Sequence, residues 1–422
     1  MLPKPPDHIA ALLARPVAVL GADASGRGVL ALLGALGAKG ILYDEQALAE
    51  DGRFTPLQAT RHGLAVFSPA FAPEHAWLEL ARDAGCTCLG ELDFASLFWP
   101  GELLAVTGTN GKTTLTEFLV HALNSAGQPA VATGNVGYPF SRFVVEHANQ
   151  PVSAVCEVSS FQAETLQHLR PTATLWTNFA EDHLERHPGM AAYFAAKWRL
   201  VERTPPGATL VGTSVQDYAK IFGRYLSAAV LVPTELQPAD PALAGTVFAS
   251  GPQRENFLLA AAWWRHAGLP AGLLSAAART FALGPHRLTR VGEKAGITYW
   301  NDSKATNFHA VEAALAGFAA PVLWIGGGKA KGGDLAEFVR RIARRVRHAF
   351  LLGETQPALA ALCRDSQVPA TACATLAEAV GAARAQAVAG DHVLLSPGFA
   401  SFDMFRGSDD RGRQFQQLVE NL

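Results

Sequence analysis

Leu103-Leu104-Ala105-Val106-Thr107-Gly108-Thr109-Asn110-Gly111-Lys112-Thr113-Thr114-Leu115-Thr116 reads as strand, turn and helix in that order. The apolar run Leu103–Val106 has strand character, and Gly108 and Gly111 break it. Lys112-Thr113-Thr114 then opens a helical pattern with Leu115, Phe118, Leu119 and Leu123 on one face. Glycines let backbone N–H groups close around an anion, and the start of a helix adds positive potential. Lys112 contributes a cation and the Thr113 hydroxyl can ligate Mg²⁺. The ligand this predicts is a nucleoside triphosphate, held by Gly108, Thr109, Asn110, Gly111, Lys112, Thr113 and Thr114. The strict pattern G-x-x-x-x-G-K-[ST] asks for glycine where Val106 stands, so the loop is a variant. A Gly-rich turn with a surface lysine is the alternative.

Outward from that loop, 422 residues with 49% apolar side chains give material for about three domains. The 35 basic and 37 acidic residues leave a net charge of −2. That field is too small for a protein binding nucleic acid mainly by phosphate neutralisation, so no nucleic-acid partner is expected. Cys86, Cys88, Cys156, Cys363 and Cys373 are odd in number and lack C-x-x-C pairs, against a disulfide framework or zinc site. No stretch reaches the roughly 18 apolar residues of a membrane span, and the N-terminus has no apolar segment behind a basic start. A cytoplasmic protein with no membrane partner is expected.

Ahead of the loop, Pro16–Leu20, then Gly21, Gly26 and Gly28, a helical run to about Leu36 and a strand Ile41–Asp44 make a βαβ start. Asp44 stands where such folds often hold a ribose, so a dinucleotide site serving an oxidoreductase is a rival reading, beside a bare structural turn. Phe98-Trp99-Pro100-Gly101 breaks the chain. Past Leu283-Gly284-Pro285, strand patterns at Ile297–Asn301, Val322–Ile325, Ala349–Leu352 and His392–Leu395 alternate with helices. The fold class is therefore α/β in three domains. Residues 1–95 are Rossmann-like, 96–284 are a central P-loop ATPase-like domain with a mostly parallel sheet, and 285–422 are Rossmann-like again.

In parallel α/β sheets ligands gather beyond the carboxyl ends of the strands, where Lys112, Glu157 and His183 could converge. Glu157 ends the strand-like run Val152–Val158 and is a hard oxygen ligand for Mg²⁺, or else caps the next helix. Asp182-His183 lies just past the run Thr172–Thr177, which favours function over a satisfied polar histidine. Lys197, by pattern alone, is an ordinary helix lysine. Gly326-Gly327-Gly328-Lys329 and Ser396-Pro397-Gly398 each follow a strand and could bind an anion or simply turn the chain.

Taken together, these residues resemble the Mur ligases, ATP-dependent amide-forming enzymes of peptidoglycan precursor synthesis. Thr107–Thr114 looks like that family's own phosphate loop. Asn301-Asp302-Ser303-Lys304-Ala305-Thr306-Asn307 and Leu395-Ser396-Pro397-Gly398-Phe399-Ala400-Ser401-Phe402-Asp403 look like its D-glutamate-adding branch, and disfavour the related folylpolyglutamate synthases. A catalytically silent nucleotide-binding relative is the alternative from another class. The resemblance implies ATP and two Mg²⁺ as cofactors, and UDP-N-acetylmuramoyl-L-alanine and D-glutamate as substrates of a monomer. It implies that Lys112 holds the β/γ-phosphates, that Thr113 and Glu157 hold one Mg²⁺, and that His183 and a carbamylated Lys197 hold the other. It further implies that Ser25, Asp44, Asn135 and His183 meet the UDP precursor, with Asn256, Arg287, Asp302 and Lys304 on the nucleotide. Thr306, Lys331, Ser401 and Phe402 would hold the amino acid. Glu45-Gln46, Ala70-Phe71, Pro252-Gln253 and Ser408 depart from the family pattern.

Overall fold

Uninterrupted apolar runs form strands whose two faces are both covered by helices. In the computed structural model, which describes residues 2–47, 52–226, 229–233 and 240–422, such runs build three sheets. The first holds β1 (Val17–Leu20), β2 (Gly40–Tyr43), β3 (Leu64–Phe67) and β4 (Thr87–Gly90), all parallel, in the order β2-β1-β3-β4. The second holds β5 (Leu103–Thr107), β6 (Ala130–Gly134), β7 (Ser153–Glu157), β8 (Ala173–Trp176), β9 (Thr209–Gly212) and β10 (Ala229–Val232). These six are parallel, in the order β10-β9-β8-β5-β7-β6.

The third sheet holds β11 (Thr289–Lys294), β12 (Ile297–Asn301), β13 (Val322–Gly327), β14 (Val346–Leu352), β15 (Ala370–Ala372) and β16 (His392–Leu395). Its order is β11-β12-β16-β13-β14-β15, antiparallel only between β11 and β12. The α/β class expected from the sequence is the class observed.

The order of the second sheet positions the site. From β5 the chain runs out to the edge strand β6, returns to β7 beside β5, and then crosses to β8 on the other side of β5. That reversal opens a crevice beyond the carboxyl end of β5. The register pairs Val106 with Glu157 and Thr107 with Trp176, so three strand ends arrive level around the loop that follows β5.

By contact density the chain forms two compact units: Met1–Phe179 with Ala191–Gln237 and Asn256–Arg279, and Thr280–Leu422 with Ala180–Met190 and Pro238–Glu255. In the first unit one apolar cluster joins Val17, Val19 and Val66 of the first sheet to Ala105 and Ala154 of the second, through Phe94, Phe98, Phe140 and Phe143. The helices Ala24–Ala35 and Phe140–His147 meet closely at Gly28, where a Cβ would lie 2.4 Å from Ser141 Oγ. Buried Asp93 fastens the segment after β7 by accepting from the backbone N–H groups of Gln167, His168 and Leu169 at 2.9, 2.8 and 2.8 Å. In the second unit the third sheet is covered on both faces, one core containing Trp324, Phe338 and Leu351 and the other Tyr299, Ile325 and Phe350.

Candidate active site

Two glycines make the loop between β5 and the next helix possible. Gly111 has φ +83°, a left-handed conformation that favours glycine, and starts the helix Lys112–Ser125; a Cβ there would lie 2.5 Å from Asn256 Oδ1. At Gly108, φ +147°, a Cβ would lie 1.9 Å from Thr177 Oγ1. Residues at the end of β8 hold the loop from the side. Asn178 accepts from the Thr109 N–H at 3.0 Å through its carbonyl and from the Asn110 N–H at 2.9 Å through its side chain. Thr177 Oγ1 donates to the Asn110 carbonyl at 2.6 Å. Sequence reasoning missed this clamp, although Thr177-Asn178 is a polar pair just past an apolar strand.

Both lysines named from the sequence come to this loop. The Lys112 ammonium donates to the Gly108 and Thr109 carbonyls at 3.0 and 2.9 Å. Lys197 is no surface lysine: it is 1% exposed, donates to the Gly108 carbonyl at 2.9 Å and to Thr107 Oγ1 at 3.3 Å, and lies 5.1 Å from the Tyr193 ring centroid. Two lysine side chains thus share one carbonyl oxygen beside a helix N-terminus. A first turn leaves backbone N–H groups without intrahelical acceptors, so the place favours a polyanion.

Glu157, 2% exposed, faces the loop end from β7. It does not cap the following helix: Ser159 and Gln162 do so reciprocally, a capping box. Its Oε1 accepts from Asn135 Nδ2 at 2.7 Å, while buried Oε2 meets no donor among the described residues. A buried carboxylate oxygen held in place but unsatisfied suits a hard cation, since Mg²⁺ typically takes one or two carboxylates plus substrate phosphates. Among the described residues no three His, Cys, Asp or Glu side chains gather as a metal cluster.

The remaining nucleotide candidates divide between the units. Asn256, buried in the helix Gln253–His266, stands against Gly111 in the first unit. Arg287, Asp302 and Lys304 belong to the second. Asp302 is buried at the end of β12, accepting from the Leu288 N–H at 3.0 Å and Ser396 Oγ at 2.8 Å, and burial pushes its carboxyl up to about 7. Lys304 pairs with Asp409 at 2.7 Å, which holds that carboxyl below its usual range.

In the first sheet, Asp44 lines a cleft with Gly21, Asp23, Ser68 and Phe71, its carboxylate accepting from the Ala22 and Gln46 N–H groups at 2.8 Å each. Ser25 lies in the first turn of the helix Ala24–Ala35, which Asp23 caps.

His183 falls in the second unit, with φ +56°. Its Nε2 is 3.7 Å from Asp182 and its Nδ1 3.2 Å from Glu185; burial outweighs these acids and lowers its pKa, so the neutral imidazole prevails near pH 7. Buried Asp182 is also approached by Lys331 Nζ at 3.3 Å and by Asn307 Nδ2 at 2.9 Å, and Lys331 lies 3.4 Å from Thr306 Oγ1. These side chains line a pocket walled by Phe308 and Phe399. Lys331 and Thr306 therefore come together as expected. Ser401 is buried, whereas Phe402 is 72% exposed and does not line that pocket.

The two Gly-rich turns of this unit spend these donors on one another and on Thr355 and Ala305. Gly327 N–H donates to Pro397 O, Gly328 N–H to Thr355 Oγ1, and Lys329 and Ala400 exchange two backbone bonds. Gly398 N–H donates to Ala305 O. The expectation that either turn cradles an anion through these groups is corrected: they lock the pocket walls instead.

Comparison with known proteins gives a consistent picture. A model of the Mur ligase middle domain matches residues 106–234, and one of the Mur ligase glutamate ligase domain matches residues 286–399. The UDP-N-acetylmuramoylalanine--D-glutamate ligase of Chlamydia pneumoniae is 35% identical over 85% of each chain. Its namesake in Paramagnetospirillum magneticum is 35% identical over 97% of each. Among solved structures, the UDP-N-acetylmuramate-alanine ligase of Thermotoga maritima aligns with TM-score 0.60 at 14% identity, covering 96% of this chain and 99% of its own. A folylpolyglutamate synthase of Mycobacterium tuberculosis complexed with ADP aligns with TM-score 0.55 at 14% identity, covering 76% and 90%.

Proposed function

This chain belongs to the Mur ligase family, and on that premise we propose how its residues divide the work of joining D-glutamate to UDP-N-acetylmuramoyl-L-alanine with ATP. A free carboxylate is a poor acyl donor. Its oxygen attacks the γ-phosphorus, ADP leaves, and the acid is now an acyl phosphate. The glutamate amine attacks the acyl carbon, the C–O bond to phosphate breaks, and the amine loses a proton as phosphate departs. Phosphorylation supplies the leaving group, so no protein nucleophile is needed.

The loop Gly108–Thr114 and Lys112 hold the β- and γ-phosphates, and Asn256, placed against Gly111, serves the nucleoside end. Thr113 and Glu157 are the residues that would hold Mg²⁺, with Asn135 fixing the Glu157 carboxylate; His183 and a carbamylated Lys197 would hold a second ion. Bound Mg²⁺ neutralises charge on the transferring phosphoryl group. Arg287, Asp302 and Lys304 complete the nucleotide site, and Ser25, Asp44, Asn135 and His183 serve the UDP precursor. Lys331, Thr306, Ser401 and Phe402 serve glutamate, the cation answering its carboxylates. These roles follow a division at residues 96 and 285 into precursor, ATP and amino-acid domains. The two nucleotide substrates put the reaction in the cytoplasm, and we expect a monomer. Family membership sets aside the oxidoreductase reading of the first domain.

The observation that carries this reading is the meeting of Lys112 and Lys197 at the Gly108 carbonyl, with an unsatisfied Glu157 oxygen on the adjoining strand end. It is tested by phosphate release from ATP in the presence of each substrate alone and both together. Release should require UDP-N-acetylmuramoyl-L-alanine and glutamate jointly, and the D enantiomer should be the active one. Release indifferent to the sugar nucleotide would contradict it.

A further inference from the structure

Arg411 lies in the helix Ser408–Glu420, is 1% exposed, and forms no ion pair among the described residues. All its contacts are neutral acceptors on two other segments. Nε donates to Ser303 Oγ at 3.0 Å and Nη2 to the Ser303 carbonyl at 2.9 Å, while Nη1 and Nη2 both reach the Phe399 carbonyl at 3.3 Å. The next residue continues the junction. The Gly412 carbonyl accepts from Asn301 Nδ2 at 2.8 Å, and a Cβ on Gly412 would fall 2.4 Å from His286 Cγ. Burial lowers the Arg411 pKa to about 10, so it remains a cation near neutrality, compensated at longer range by Asp403 and Asp302.

The two segments it joins run into two of the pocket's walls. Ser303 is three residues before Thr306, and Phe399 follows Gly398; Thr306, Gly398 and Phe399 all line the cavity into which Lys331 also projects. A buried charge resting on carbonyls is an expensive way to hold a fold together, and an apolar side chain would be the simpler filler. What the guanidinium offers is a rigid fork of five donors that fixes the spacing of two loops, which a single ammonium cannot span.

We propose that Arg411 is a positioning residue: by bridging Ser303 and Phe399 it sets the distance between two walls of the amino-acid pocket, and so tunes affinity for the incoming amino acid without touching it. This rests on reading that pocket as the glutamate site.

The test uses the full-length enzyme with Arg411→Met and the milder Arg411→Lys. The KM for D-glutamate should rise by about 10- to 100-fold in Arg411→Met, as expected when a binding geometry loosens by about an ångström. The KM values for ATP and the UDP precursor should stay close to wild type, and Arg411→Lys should fall between. In parallel, hydrogen exchange should speed up at residues 303–306 and 398–401 in both variants, with protection of β5, β7 and β8 unchanged. Equal losses for all three substrates, or unchanged exchange in those two loops, would overturn the proposal. If the wild-type enzyme ignores glutamate, the pocket reading falls, while the exchange data still decide whether Arg411 fixes the two walls. Should Arg411→Met fail to fold, Arg411→Lys alone decides, since a merely structural role would leave its substrate preference unmoved.

Discussion

Glu157→Gln separates a chemical from a structural role, because the two readings move stability in opposite directions. The carboxylate is 2% exposed, one oxygen accepts from Asn135 at 2.7 Å, and the other meets no donor among the described residues. Leaving a buried polar atom unsatisfied costs about 1–3 kcal/mol, and more when it is charged. Glutamine keeps the shape, accepts from Asn135 through its carbonyl oxygen and removes the charge. The ligand-free protein should therefore hold its stability or gain up to about 2 kcal/mol, a rise in Tm of a few degrees at most. Activity should move the other way. Loss of one preorganised electrostatic partner of a phosphoryl-transfer site lowers kcat by about 10²–10³, on the order of 3–4 kcal/mol. Melting curves with and without Mg²⁺ and ADP, beside coupled phosphate-release rates, measure both. Ligand stabilisation should be large in wild type and small in the variant. A variant that melts well below wild type while keeping most of its rate per folded molecule would make Glu157 a structural residue instead.

Gly108→Ala places a methyl group 1.9 Å from Thr177 Oγ1 at a φ of +147°, so the clamp on Asn110 must open. The KM for ATP should rise by about tenfold or more, with the KM for glutamate unmoved; titration of each substrate checks it. Lys197→Ala should be nearly inactive and partly rescued by short carboxylic acids, which supply the anionic ligand assigned to its carbamate; full activity would return Lys197 to a packing role. Asp302 and Glu91 are both pushed by burial up to about 7, above their values in the unfolded chain. The folded protein then binds more protons than the unfolded one between about pH 4 and 7, and the stability contributed by these acids falls as pH rises through that window. Asp302→Asn should flatten the decline by up to about 1.4 kcal/mol per pH unit, read from urea midpoints at several pH values; an unchanged slope would contradict it.

The strand, turn and helix that begin at Leu103 were legible because their signal is local: an apolar run, two glycines and a helix opening with Lys112 lie within fourteen residues. Strands β1, β2, β12, β13, β14 and β16 were legible for the same reason, as apolar runs between turn residues, whereas β4, β11 and β15 carry no such run. What could not be read depended on which distant segments meet. Lys197 looks like any helix lysine, and only the passage of its helix beside β5 buries it against Gly108. The Thr177-Asn178 clamp requires β8 to lie next to β5, a neighbour relation that the sequence does not state. Gly326–Gly328 carries the composition of an anion cradle, but its donors are spent on Pro397 and Thr355, partners far along the chain. Residues 180–190 follow β8 of the second sheet in sequence yet cluster with residues 280–422, which composition gave no hint of. Arg411 attracted no notice for a similar reason: a lone arginine in a polar C-terminal helix reads as solvated.

In the proposed reaction the precursor's own carboxylate oxygen attacks the γ-phosphorus and leaves with it. UDP-N-acetylmuramoyl-L-alanine labelled with ¹⁸O in both oxygens of the alanine carboxylate, turned over with ATP and D-glutamate, tests this in one mass spectrum of the released phosphate. One ¹⁸O atom is expected in each phosphate formed. Phosphate free of label, with amide product accumulating at the same rate, would contradict it.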